Sequence, residues 1–376
     1  MITELYIDNF RCLVNCTIRL TEHQLWLGDN GTGKSSVLDA LQFVQRVISG
    51  DHVEDIFIAD DMTRWLTKPQ QTFGIVLKLG DDSYEYELVV EPDRNKQERC
   101  RIASERLSWN GQKFYWFDGR EAHLYRINRD TGKVEEGTQF SADWSRSLIP
   151  TIAERDDNRP LVEFRRHVGG WLVVQPIPAN MGGQADKEDR RLARDGHNFA
   201  AWYRHLCLES AEVPYKTGEA LQNVLESFQA LNLKEAGEAR KLVAKFRSDK
   251  QDYEVEFPRL SDGQRQLIFL YVVLYALQTD YPVLFIDEPD NFISSREIQP
   301  WLHELCDICD DSVELGDAKD CQAIVISHHP ETVNVMTDGT ELWFHRPQAS
   351  HTQVKSYPVH KGLTPAETLA RGWENE

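Results

Sequence analysis

The residue types that phosphate chemistry needs are gathered in one stretch, Gly28-Asp29-Asn30-Gly31-Thr32-Gly33-Lys34-Ser35-Ser36. It follows the apolar Leu25-Trp26-Leu27 and reads G-x-x-x-x-G-K-S, the spacing of a phosphate-cradling loop between a strand and a helix. Gly28, Gly31 and Gly33 allow the backbone to bend so that its N–H groups face an anion, where a Cβ would intrude. Lys34 is placed to reach the β- and γ-phosphates, and the Ser35 hydroxyl to bind Mg²⁺. Val37, Leu38, Leu41, Val44 and Ile48 then recur at helical spacing, giving the next helix a buried face. The N-terminus of that helix adds partial positive charge beside the loop.

Three later stretches carry further chemistry. Arg259-Leu260-Ser261-Asp262-Gly263-Gln264 opens an apolar helix, with Ser261 in capping position. Val283-Leu284-Phe285-Ile286-Asp287-Glu288-Pro289 is an apolar strand ending in two carboxylates. Ala323-Ile324-Val325-Ile326-Ser327-His328-His329-Pro330 is another, ending in histidine. A phosphate loop, a carboxylate pair and a histidine, each at a strand end, form a coherent set for phosphoryl transfer.

The frame around them is a globular chain of 376 residues, one large or two modest domains, 41% apolar and 27% charged. The longest apolar run, Leu267 to Leu277, is too short to cross a bilayer, so no membrane association is expected. Seven cysteines without a disulfide-like framework, and a strand-like start with no leader pattern, point to the cytoplasm. A net charge of −19 argues against an indiscriminate nucleic-acid binder. The acidity is uneven: residues 280–320 hold twelve acidic and two basic side chains. The rest is nearer balance and leaves room for a local DNA- or RNA-binding surface.

Residues 2–8, 15–20 and 24–27 read as short strands before the phosphate loop. Arg11 closes the first; it fits either against an adenine or ribose, or as a solvent-facing turn residue. Runs at 73–79 and 84–90 form a hairpin through Gly80-Asp81-Asp82-Ser83. Asn110-Gly111 favours a type I′ turn, and Asp130-Thr131-Gly132 marks a third, so 72–140 is an antiparallel β region. Helical patterns follow at 151–168, 198–211 and 217–229, with strands near 241–247 and 252–257. Pro176-Ile177-Pro178 and Met181-Gly182-Gly183 form a candidate hinge. Residues 1–71 and 258–376 are thus expected to form a nucleotide-binding core, 72–150 a β region and 151–257 a helical lobe.

With those motifs in this order, the chain resembles ABC-type ATPase heads of the SMC, RecF and OLD-like class. It is most similar to stand-alone AAA-type ATP-binding proteins of bacterial defence operons. Gly28–Ser35 matches the Walker A motif, Phe285–Pro289 Walker B, and His328 the switch histidine. Leu260–Gln264 resembles the ABC signature, with Asp262 where transporters commonly have Gly. Asp290 to Ser294 falls where the D-loop belongs, although Ser294 stands where that loop usually has Asp. The resemblance spans essentially the whole chain and implies an α/β fold. That fold is a P-loop head with a mixed central sheet, an antiparallel β subdomain and a helical lobe.

The resemblance implies ATP and Mg²⁺ as ligands, with Arg11, Asn30, Gly31, Thr32, Gly33, Lys34, Ser35, Ser36 and Asp290 at the nucleotide. Asp287 would hold Mg²⁺ opposite Ser35; Glu288 would orient or deprotonate the attacking water; His328 would contact the γ-phosphate, with Lys34 as third catalytic group. Gln175, chosen over Gln70 and Gln71, is the expected Q-loop residue, touching both nucleotide and metal. Ser261 and Gly263 would cap the γ-phosphate bound to a second copy, which implies a head-to-tail homodimer. Between Lys34 and Ser261 there is no long coiled coil, and after His328 too little chain for the nuclease of OLD proteins. The expected function is therefore an ATPase switch regulating a separately encoded nuclease or toxin in phage defence. The alternative is a RecF- or SMC-like ATPase clamping duplex DNA.

Cys306-Asp307-Ile308-Cys309 has zinc-like spacing, but Cys309 shares a helical face with Ile298, Trp301, Leu302 and Leu305, which favours core packing. Arg165, Arg166, Arg190, Arg191 and Arg194 are the densest basic clusters. Interspersed Asp186, Glu188 and Asp189 favour a solvated face over a phosphate-binding one.

Overall fold

The computed structural model describes residues 1–93, 99–249, 251–314, 321–358 and 363–372; residues 315–320 of the acid-rich stretch lie outside them. The chain opens with β1 (Ile2–Asp8), β2 (Cys16–Arg19), β3 (His23–Leu27) and α1 (Lys34–Ile48). Then come β4 (Gln71–Leu79), β5 (Asp82–Pro92), β6 (Cys100–Trp109), β7 (Gln112–Phe117), β8 (Glu121–Ile127) and β9 (Val134–Ser141). Next are α2 (Arg159–Gly169), β10 (Trp171–Val174), β11 (Gln184–Ala185), α3 (Phe199–Glu209) and α4 (Glu212–Val224). They are followed by β12 (Phe228–Ala236), β13 (Ala239–Arg247), β14 (Asp252–Glu256), α5 (Asp262–Ala276) and β15 (Val283–Asp287). The chain continues through α6 (Ser295–Glu314), β16 (Gln322–Ile326), α7 (Pro330–Met336), β17 (Leu342–His345), β18 (Gln353–Ser356) and α8 (Pro365–Arg371).

The chain divides into two compact units, one of residues 1–21, 27–171 and 342–357, the other of 22–26, 172–341 and 358–376. The first is built on an antiparallel sheet in the order β2-β1-β4-β5-β6-β7-β8-β9. Its hairpins follow the turn chemistry: Asn110 and Gly111 take φ of 49° and 73°, as a type I′ turn requires. The apolar face of α1 reads Val37, Leu38, Leu41, Val44 and Ile48, all buried as their spacing predicts. Phe10, Phe43, Phe57 and Phe73 stack edge-on or tilted with centroids 5.1 to 5.7 Å apart, fastening the start of the chain to α1 and β4. Within the sheet, Glu105 is fully buried and accepts from Tyr86, Tyr115 and Ser147; burial still raises its pKa despite those donors.

The second unit holds a sheet with strand order β10-β15-β16-β3, in which β15, β16 and β3 run parallel. β15 and β16 are buried along their length and apolar through Val283–Ile286 and Ala323–Ile326, as expected of parallel strands covered on both faces. Helix α5 is apolar all round from Leu267 to Ala276 and sits inside the unit, where Trp301 of α6 donates its indole N–H to Leu270 O at 2.9 Å. A smaller antiparallel sheet orders β11-β13-β12, with β14 also on β13.

Several sequence expectations shift. Of the three short strands expected before the phosphate loop, β1 and β2 extend the antiparallel sheet, whereas β3 belongs to a parallel one. The helix expected over 217–229 ends at Val224, and Phe228 begins β12. Alternating apolar positions after Leu225 carry the strand, and helical periodicity over so short a window did not separate the two. The expected helical lobe thus contributes α2 to one unit, and α3, α4 and a sheet to the other. Among the described residues, no helix is long and apolar enough to cross a membrane.

Candidate functional site

The phosphate loop leaves the end of β3. Gly28 has φ 141°, and a Cβ there would run into the Phe344 carbonyl; Gly33 has φ 106°, and a Cβ would lie 2.6 Å from Thr352 Oγ1. The glycines are therefore required by the hairpin of β17 and β18 as well as by an anion. Gly33 is the N-cap of α1 and brings no side-chain acceptor, so the first turn of the helix is presented to an anion rather than capped from within. Lys34 is buried and curls back to donate to the Gly28 and Asp29 carbonyls. An ammonium held by loop carbonyls, together with a glycine-capped helix, fits a polyphosphate.

Arg11, expected near adenine or ribose or as a free turn residue, is paired with Asp39 and with Asp61, at 2.9 Å to the latter, and lies over the Phe10 ring. It ties α1 to residues 59–61.

In the second unit the strand register brings the other motif residues to one edge. Trp26 of β3 pairs with Ile326 of β16, and Ile326 pairs with Asp287 of β15. Asp287 and the residues after Ile326 thus emerge at one edge of this sheet. This is the carboxyl edge of a parallel sheet, where ligands of α/β folds bind.

Asp287 is buried, and Glu288 is half-buried with φ 52°, a left-handed conformation that costs about 1 to 3 kcal/mol in a non-glycine residue. Its N–H still donates to Ile326 O at 2.8 Å, so the ladder runs one residue further while the side chain is swung off the strand axis. Asn291 Nδ2 donates to Glu288 Oε2 at 2.7 Å and holds the carboxylate.

His328 is exposed and His329 is not its equivalent: His329 caps α7, its Nδ1 accepting from Glu331 N–H at 3.2 Å. Asp290, expected at the nucleotide, is turned inward. It is 6% exposed and accepts from Ser327 and, at 2.6 Å, from Thr332. Its physical role here is to bind the end of β16 to α7.

Ser261 is an exposed N-cap in a full capping box, its Oγ accepting from Gln264 N–H at 3.2 Å. An accepting hydroxyl keeps its own proton for a further partner. A Cβ on Gly263 would lie 2.7 Å from Phe292 O, so this glycine also admits the turn after Pro289. Asp262, the departure from the usual signature, pairs with Arg265, which donates to Pro178 O. Gln175 follows β10, the neighbour of β15, and its N–H donates to Arg194 O at 2.8 Å.

The structure adds residues that motif reading missed. Gln266, fully buried in α5, donates to Pro289 O at 2.9 Å and fastens that helix behind the two carboxylates. Ser327 and Thr332 serve Asp290. Gln266 directly follows the polar Asp262–Arg265 and precedes the apolar run, so its position carried no signal in the sequence.

The other expectations resolve simply. Cys309 points at Cys321, Sγ to Sγ 3.0 Å, inside the core, and burial with nearby aspartates pushes the Cys306 thiol up to about 12. Among the described residues no group of side chains is placed to hold a metal by itself. Arg165 is spent on the carbonyls of Ile149, Pro150 and Ile152, and Arg166 lies beside Glu154.

A family model described as "AAA domain, putative AbiEii toxin, Type IV TA system" matches residues 27–334. The chain belongs to that family. Among solved structures, the Smc head bound to the C-winged helix domain of ScpA gives a TM-score of 0.57 at 14% identity, covering 96% of this chain and 99% of that one. A Smc head domain with an extended coiled coil, bound to the C-terminal domain of ScpA and derived from Pyrococcus furiosus, gives 0.55 at 13% identity, covering 99% and 98%. Identities this low speak for the fold alone, and that fold is the SMC-head ATPase fold. Among curated proteins no sequence matches. The α/β P-loop head expected from the resemblance is the fold observed, and the chain is an AAA domain with the fold of SMC heads.

Proposed function

We propose that this protein is an ATP-driven switch that closes head-to-tail with a second copy around two ATP molecules and regulates a separately encoded effector, a nuclease or toxin, in anti-phage defence. The observation that supports the reading is the register of β15 against β16, which brings the end of the carboxylate pair's strand and the strand end before His328 to one edge of a parallel sheet. In this reading Lys34 and the loop N–H groups take the phosphate charge, with Asn30, Thr32 and Ser36 lining the same turn. Ser35 and Asp287 hold Mg²⁺, aided by Gln175. The metal, when bound, supplies charge neutralisation between the phosphates. Glu288 orients the attacking water and takes its proton, and His328 donates to the γ-phosphate. Ser261 and the Gly263 N–H close the pocket of the second copy.

The effector part of the proposal is supported by the toxin–antitoxin description of the family. The test is phosphate release by the natively expressed protein, together with recovery of a co-purifying partner from its own cells. Release without any partner would retain the ATPase and remove the switch.

One further reading, implied by the resemblance to RecF- and SMC-like heads, is an ATP-dependent clamp on duplex DNA. Salt-sensitive DNA binding that appears with ATP and vanishes in Lys34→Ala would establish it instead.

A further inference from the structure

Next to the phosphate loop stands an aromatic that neither the motifs nor the family accounts for. Trp65 is 48% exposed, although an indole of its size is ordinarily taken into the core. Its loop is not loose. Asn9, fully buried, clamps it from below: its Nδ2 donates to Lys68 O at 2.8 Å and Gln70 O at 2.9 Å, and its Oδ1 accepts from Thr63 N–H at 3.2 Å. The turn between these points is closed by Leu66 N–H donating to Thr63 O at 3.1 Å. One buried amide thus satisfies both ends of a segment and leaves its aromatic residue outside.

Arg346 connects that indole to the loop. Its guanidinium carbon lies 5.6 Å from the Trp65 ring centroid, its Nε donates to Ser350 O at 2.7 Å, and its Nη1 reaches Gly31 O at 3.4 Å. A flat cation and a flat aromatic therefore stand side by side at the rim of the phosphate loop.

We propose that Trp65 and Arg346 form the platform on which the base of the bound nucleotide stacks. The proposal rests on the nucleotide reading of Gly28–Ser36 and deepens it. A triphosphate gripped by the loop carries its base outward, and an indole beside a guanidinium binds any base by its face without reading its edge. Partial exposure of Trp65 is then the condition for its use, and the Asn9 clamp keeps the ring in place before the nucleotide arrives.

The test measures equilibrium binding of two probes, MgATP and magnesium tripolyphosphate, to the full chain. Trp65→Ala is expected to weaken MgATP by roughly 10- to 100-fold and leave tripolyphosphate unchanged, and Trp65→Phe to restore most of the loss. Wild-type affinity for MgATP in Trp65→Ala overturns the platform alone, as does an equal loss for both probes, which marks a structural role. Loss of single-stranded DNA binding with MgATP affinity intact reassigns the ring to nucleic acid. Failure of the wild-type chain to bind either probe overturns the nucleotide reading itself, and the platform with it.

Discussion

Thr332 of α7 donates its hydroxyl to Asp290 across 2.6 Å, and both residues are buried. Ser327, at the end of β16 and next to His328, donates to the same carboxylate oxygen. One carboxylate therefore fixes where α7 begins relative to the strand that presents the histidine. Asp290→Ala would strand two buried hydroxyls and is expected to cost about 2 to 4 kcal/mol in denaturant unfolding. Asp290→Asn keeps an acceptor and should cost less, about 1 to 2 kcal/mol. Equal stability of all three proteins would contradict this role.

Glu288 is held in a strained conformation beside a buried Asp287, and its carboxylate is braced by Asn291. Removing its charge should affect turnover and spare binding. Glu288→Gln is expected to lower phosphate release by about 100-fold or more while ATP affinity stays within a few-fold. Lys34→Ala should lose affinity itself. A fall in affinity for Glu288→Gln matching its fall in turnover would argue against a role at the attacking water.

His167 gives a pH dependence of known sign. Burial, with repulsion from the N-terminal ammonium as the smaller cause, lowers its pKa to about 3, and its Nδ1 accepts from the Trp171 indole at 3.2 Å. The ring is neutral in the folded chain and takes a proton near the ordinary value of 6.5 when unfolded. Its contribution is full above that value and is lost as pH falls toward the folded value, at about 1.4 kcal/mol per pH unit. His167→Gln should flatten the stability profile between about pH 6 and pH 4, read by denaturant unfolding at each pH. An unchanged slope would contradict the assignment.

How far the sequence disclosed this molecule depends on how local the signal was. The α1 face was legible because five apolar residues at helical spacing leave one side to bury. Asn110-Gly111 was legible because two positive φ angles in succession demand such residues. The switch from α4 to β12 was hidden, since short apolar runs suit either period. The role of Asp290 in joining β16 to α7 was hidden, since its partners Ser327 and Thr332 lie some forty residues on. The clamp of Asn9 on the Trp65 loop joins residues more than fifty positions apart and left no trace in spacing. Pairings across such distances belong to tertiary structure, and no single-sequence pattern encodes them.

Closure of two copies around ATP is tested most directly by the native mass of Glu288→Gln, measured with and without MgATP. A dimer that forms with MgATP, reverts on its removal and is abolished by adding Lys34→Ala is the expected result. A strictly monomeric chain under saturating MgATP would contradict it.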